Sequence, residues 1–294
     1  MLWILNKYFK FKLPGFRGVA LSRVLYFVFI ESRRDHIQTR ASSIAFNVFL
    51  SLFPTVIFLF QLVSLIPMDS IAPTAFEFLQ ENLPNQAYPF VESMIQNVLD
   101  RQDGGKLTLG FLLAIFFASN GMSSLMNAFS KEDRKLTPKR RNFLSHRFTA
   151  IGLTLLLALI FIITVICIIG GRFLIEHLAE QLGVNQGIAY LLVLLVKSIL
   201  TFLLILNSIS LIYYFAPPVV EKWNYFSPGS IFCSITMVLT SLLFSWYLNS
   251  FGQYNILYGS LGTMMITMIW IYINSMILLI GFEMNLGIQV NAEE

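Results

Sequence analysis

Six long apolar stretches constrain this chain more than anything else in it. They run over 41–66, 107–129, 148–170, 188–215, 226–248 and 258–285, each close to or above the roughly 20 residues that a helix needs to cross a bilayer core. The punctuation agrees with them: Pro67 follows the first, Gly104-Gly105 precede the second, and Gly170-Gly171 close the third. Pro217-Pro218 stop the fourth, and Ser227-Pro228 reads as an N-cap followed by proline at the first helical position of the fifth. Only 12% of the residues are charged, against roughly 25% in a soluble domain that must wet its surface. The expected fold is therefore an all-α integral membrane protein with about six transmembrane helices. Its domain plan is an N-terminal segment over 1–40 and a six-helix membrane domain over 41–290.

Orientation follows from the basic residues. Lys7, Lys10, Lys12, Arg17, Arg23, Arg33, Arg34 and Arg40 lie before the first stretch. Lys131, Arg134, Lys135, Lys139, Arg140, Arg141 and Arg147 lie between the second and third, and Lys222 between the fourth and fifth. The other side holds only Arg101, Lys106 and Arg172. By the positive-inside rule both termini face the cytoplasm. The same distribution explains the net charge of +4 without invoking nucleic acid. The N-terminal residues show no cleavable signal peptide. Outside, residues 67–106 form an acidic loop with helical spacing on either side of Pro84 to Pro89, so two short amphipathic helices are expected there. A third is expected over 16–30, with Arg17 and Arg23 on its polar side, acting as an interfacial anchor.

Function in such a chain is sought among polar groups held in the bilayer, where they need partners or water. Arg40, Ser43, Asn47, Ser51, Pro54 and Gln61 fall within about 80° of one another on the first span at 100° per residue. Asn120, Ser123 and Asn127 share a face of the second, and Ser260, Thr263, Thr267, Trp270, Asn274, Gly281 and Asn285 form a stripe along the sixth. Small polar residues also glue helices together; the stripes with Asn or Gln are better explained by a lined cavity. Lys197 lies deep in the fourth span with Thr201 and Ser208 on its face. At that depth a lysine costs about 2.5–3.5 kcal/mol, which favours an interior anion-binding or gating role over snorkelling to the headgroups. The candidate transport path is thus Arg40, Asn47, Gln61, Asn120, Asn127, Lys197, Thr263, Thr267 and Asn274. Glu283, opposite the sixth-span stripe, reads as a wetted position near the membrane boundary.

No catalytic, cofactor or metal residues are expected. His36, His146 and His177 are isolated, no span contains an Asp, and no phosphate-cradling GxxxxGK[ST] occurs. Cys167 and Cys233 sit in apolar runs and read as two buried small hydrophobes.

The closing segment YNILYGSLGTMMITMIWIYINSMILLIGFEMN at 254–285 resembles the YihY/virulence factor BrkB family of bacterial inner-membrane proteins. Tyr254, Asn255, Tyr258, Gly259, Gly262, Trp270, Tyr272, Leu279, Gly281, Glu283 and Asn285 match its pattern. RASSIAFNVFLSLFP at 40–54 is similar to its first-span motif, with Arg40, Ala45, Phe46 and Pro54, although the family often has Tyr where Asn47 stands. SNGMSSLMNAF at 119–129, RRNFLSHR at 140–147 and FSPGS at 226–230 also look familial. The resemblance implies six helices, a multi-pass inner-membrane location, and roles proposed in envelope integrity and lipid movement. Members have carried the label ribonuclease BN, which is generally regarded as mistaken. The leading expectation is a transporter or translocator of lipid or another amphiphilic anion. The alternative is a structural protein docking envelope machinery through the 130–147 loop. Membrane lipids are the expected partners, with an envelope protein and a second copy of the chain as further candidates.

Overall fold

The structure is a computed structural model that describes residues 15–34, 36–63, 106–130, 141–181, 186–218, 223–250 and 260–292. The expected outer-loop helices, most of the 130–147 loop, and Tyr254, Asn255, Tyr258 and Gly259 lie outside the described residues. Seven helices are described: α1 (Leu21–Arg34), α2 (Ile37–Val63), α3 (Lys106–Phe129), α4 (Phe143–Gln181), α5 (Gln186–Phe215), α6 (Pro228–Ser250) and α7 (Ser260–Ala292). Five, α3 to α7, are long and apolar enough to cross a membrane, judged over the described residues. Large apolar side chains stand exposed along them, among them Leu156, Leu191, Leu195, Leu243 and Trp246, as lipid-facing surfaces require. This is an all-α integral membrane protein.

Several boundaries differ from expectation for identifiable reasons. α4 runs through Gly170-Gly171 to Gln181, so the helix continues past the glycine pair, while its apolar span-length stretch ends at Ile168. α7 continues past 285 to Ala292, its last two turns covered by protein. α5 does stop before Pro217-Pro218, and α6 starts at Pro228 with Ser227 as its cap, the Ser230 amide donating to Ser227 Oγ at 3.2 Å. Pro54 lies inside α2 without ending it, although its ring leaves the Leu50 carbonyl without its usual amide.

The chain divides into two compact units, one of 1–50, 120–153 and 205–294 and one of 51–119 and 154–204. The first gathers the start of α2, the end of α3, the start of α4 and the end of α5, together with α6 and α7. Successive spans running in opposite directions produce that arrangement. In the second unit Phe58, Ala114 and Ala158 form a buried cluster with Ile115 against it, and Gly171 lies close to Val196.

Within the first unit α7 is the organising element. α1 packs on its C-terminal part through Phe16, Val19, Val24, Met284 and Ile288. A Cβ at Gly287 would lie 2.7 Å from the Phe27 ring. The amphipathic segment is thus docked on protein as well as amphipathic, while Leu25, Phe29 and Ile30 remain exposed on its other side. His36, at φ 47, turns the chain from α1 into α2.

α6 crosses α7 closely enough that side chains are excluded. A Cβ on Gly229 would meet the Gly281 carbonyl oxygen at 2.3 Å, and one on Gly281 would meet Cys233 Sγ at 2.3 Å and Gly229 O at 2.9 Å. In lipid, such close packing and interhelical hydrogen bonds replace the hydrophobic drive. The Asn285 amide supplies those bonds: Oδ1 accepts from Gly229 N at 2.8 Å while Nδ2 donates to Ser227 Oγ at 2.8 Å. Two groups left over at a helix start are satisfied by one side chain.

Candidate functional site

An open polar cavity of about 460 Å³ is lined by Arg40, Ser43 and Asn47 of α2 and by Asn120, Ser123, Ser124, Asn127 and Ala128 of α3. Arg40, Ser43 and Asn47 of the first-span stripe and Asn120, Ser123 and Asn127 of the second thus share one recess, to which the sixth-span stripe contributes no lining residue among those described. They meet because the start of one helix lies beside the end of the next, so residues four apart on each wall face the other. Its volume is within the roughly 300–1,000 Å³ of ligand pockets.

Arg40 is held at one wall. Its guanidinium donates to the Ala128 carbonyl, one of the end carbonyls that α3 cannot satisfy internally. It also donates through Nη1 to Glu283 Oε1 at 3.3 Å. Glu283 is fully buried, which corrects the expectation of a wetted boundary position. The helical-wheel reading placed it opposite the stripe, and that side of α7 faces protein rather than water. Charge burial of this kind is tolerated only with a partner, and Arg40 supplies it.

At another wall Arg147 of α4 donates through Nη1 to Asn120 Oδ1 at 2.8 Å. Arginine has no acceptor, so this contact fixes the amide's orientation and leaves its NH₂ as the group Asn120 can offer elsewhere. Asn47 is oriented the other way, Nδ2 donating to its own helix at Ser43 O, 2.8 Å, which leaves Oδ1. Among the described residues the cavity thus presents one guanidinium, amides and three serine hydroxyls, and no carboxylate.

The remaining sequence-derived candidates divide differently. Lys197 is half-buried and belongs to the second unit, where Thr201 Oγ1 donates to its backbone carbonyl at 2.8 Å. Thr267 is half-buried, and Asn274 donates to its own helix at Trp270 O, 2.8 Å. The side chains of Gln61 and Thr263 lie outside the described residues. The lower part of the sixth-span stripe, Gly281 and Asn285, is helix-packing surface rather than path, because it meets α6. Of the family-motif positions, Phe46 is exposed and Trp270 is 39% exposed, facing outward.

Beside this packing surface is a buried polar and aromatic network that the sequence did not signal. The Tyr213 hydroxyl donates to Leu278 O at 2.6 Å and lies 2.9 Å from Cys233 Sγ. Trp223 Nε1 donates to Gln289 Oε1 at 2.7 Å, and Phe129 stacks on Phe282 at 4.7 Å. Cys233 is buried, as expected, but Cys167 is exposed. Arg141 donates to Phe215 O at 2.8 Å and Ala216 O at 3.1 Å, capping the end of α5. Burial lowers its pKa from the usual arginine value. Among the described residues no three His, Cys, Asp or Glu side chains converge to hold a metal.

Fold and site together define a multi-pass membrane protein whose described polar cavity is built from helix ends. Residues 28–294 match the family described as Virulence factor BrkB, and the chain belongs to it. It is 28% identical over 256 residues to the putative ribonuclease-like protein YfkH of Bacillus subtilis, covering 84% of this chain and 88% of that one. It is 25% identical over 267 residues to the UPF0761 membrane protein MS0032 of Mannheimia succiniciproducens, covering 89% and 88%. A UPF0761 membrane protein of Glaesserella parasuis is 26% identical over 213 residues, covering 72% and 68%. No solved structure matches the chain.

Proposed function

We propose that this protein is a transporter or translocator of lipid or another amphiphilic anion in the bacterial inner membrane, with both termini in the cytoplasm. The observation that carries the proposal is the cavity over Arg40: a cationic, hydrogen-bonding recess on helices whose outer surfaces are apolar. A headgroup entering there would exchange water for amide and hydroxyl partners while its chains stayed among the exposed Leu, Ile and Phe side chains. The name of the Bacillus relative contains "ribonuclease-like", but the described residues lining the cavity include no acid–base pair with which to cleave a phosphodiester. The docking alternative draws on the basic 130–147 loop. Arg141 and Arg147 from its end are engaged inside the protein, which leaves that reading with fewer side chains.

The test is movement of labelled anionic and zwitterionic phospholipids across proteoliposome membranes, against protein-free vesicles. Headgroup-dependent movement that is lost in Asn127→Leu, which fills the cavity with an apolar side chain, is expected. Lys197→Ala should slow the movement if the route has a second cationic station. Absence of movement under every gradient would overturn the proposal and return attention to docking.

A further inference from the structure

We infer that the cavity recognises a phosphate-class oxyanion, and that Arg147, standing behind its wall, is the positioning residue that makes Asn120 present donors to it. The inference deepens the transport reading and rests on the same cavity.

Among the described residues, Arg40 is the one ionisable group lining the recess. The buried acid beside it, Glu283, is paired with Arg40, and Arg147 adds a second positive charge one residue behind the surface. Among the described residues, two guanidinium groups against one carboxylate give the recess a positive field, which low-dielectric walls concentrate. A cation would meet repulsion there, and an uncharged headgroup would leave the field unused.

Hydrogen-bond polarity narrows the class further. Asparagine by itself is indifferent, offering an oxygen and two N–H groups. The Arg147 contact at 2.8 Å removes the choice, because only Oδ1 can face a guanidinium. Asn120 is therefore locked with its NH₂ as the remaining group on the cavity wall, in the same recess as the Arg40 guanidinium and the Ser123 and Ser124 hydroxyls. A tetrahedral oxyanion with several acceptor oxygens matches such a set of donors, and charge-assisted bonds to it are the strong kind. Asn47 Oδ1 is left to accept from a hydroxyl on the phosphate or on the group esterified to it. A lipid phosphate headgroup and free phosphate share this chemistry.

Asn120→Asp separates recognition from folding. The new carboxylate keeps the contact to Arg147 and strengthens it, yet replaces the donors by an acceptor of negative charge. Calorimetric titration of the full chain in detergent with dihexanoyl phosphatidic acid, inorganic phosphate and dihexanoylglycerol reads the outcome. We expect phosphatidic acid to bind and dihexanoylglycerol not to. Affinity should fall roughly ten- to hundredfold in Asn120→Asp while the unfolding temperature holds. Arg147→Gln should weaken binding less, with Arg147→Lys recovering part of the loss, so the answer does not depend on one variant. Unchanged affinity in both Asn120→Asp and Arg147→Gln, equal binding of dihexanoylglycerol, or no binding of either phosphate probe would overturn the inference. Inorganic phosphate binding as tightly as phosphatidic acid would uphold the oxyanion site and overturn lipid as its cargo. Vesicle translocation that persists undiminished in Asn120→Asp would keep the transport reading and overturn this one.

Discussion

Removing either charge of the Arg40–Glu283 pair should have unequal consequences, because the two groups are unequally buried. The Glu283 side chain is 1% exposed, while that of Arg40 is 18% exposed and borders an open cavity. Arg40→Gln removes the charge partner of a carboxylate that has no access to water, and such losses cost about 3–5 kcal/mol. It also removes the donor that satisfies the Ala128 carbonyl at the end of α3. Glu283→Gln leaves the guanidinium with that carbonyl and with cavity water, and the glutamine oxygen can still accept from Nη1. Only the charge assistance is lost, about 1 kcal/mol. The double variant carries no buried charge that has lost its ion-pair partner, so it should be more stable than Arg40→Gln alone by about 2 kcal/mol. Reversible unfolding in mixed micelles, followed by tryptophan fluorescence, gives all four corners of the cycle. Trp223, whose ring centroid lies 5.6 Å from that of Phe282, serves as a local probe. Additivity within about 0.5 kcal/mol, or a larger loss for Glu283→Gln than for Arg40→Gln, would refute the reasoning.

The packing of the first unit carries four further outcomes. Gly229→Ala should destabilise more than Gly281→Ala, because its Cβ meets a backbone carbonyl at 2.3 Å whereas that of Gly281 first meets the Cys233 thiol. Adding Cys233→Ala to Gly281→Ala should recover part of an overpacking cost of about 1–3 kcal/mol, read as unfolding temperature in detergent. Asn285→Leu leaves the buried Gly229 amide unsatisfied and takes from the Ser227 hydroxyl one of its two donors, the Ser230 amide remaining, and a loss of about 1–3 kcal/mol is expected in the same measurement. Arg141→Gln uncaps α5 and should cost about 1 kcal/mol, with faster amide exchange confined to the last turn of that helix.

The sequence by itself determined the class of protein and much of its linear plan. Apolar length and helix punctuation are local properties, so the start of α3 after Gly104-Gly105, the end of α5 before Pro217-Pro218 and the Ser227 cap of α6 could be read directly. The stripes on the first two spans were legible for the same reason, since helical periodicity alone places Arg40, Ser43 and Asn47, or Asn120, Ser123 and Asn127, on one face. Which face meets water, lipid or another helix is not a local property. Only the tertiary structure could show that Glu283 turns inward to Arg40, that Gly281 and Asn285 belong to the crossing with α6, and that Arg141 and Arg147 reach back into the protein. A helical wheel gives an angle about one axis, whereas burial depends on what a second helix, distant in sequence, brings to that angle.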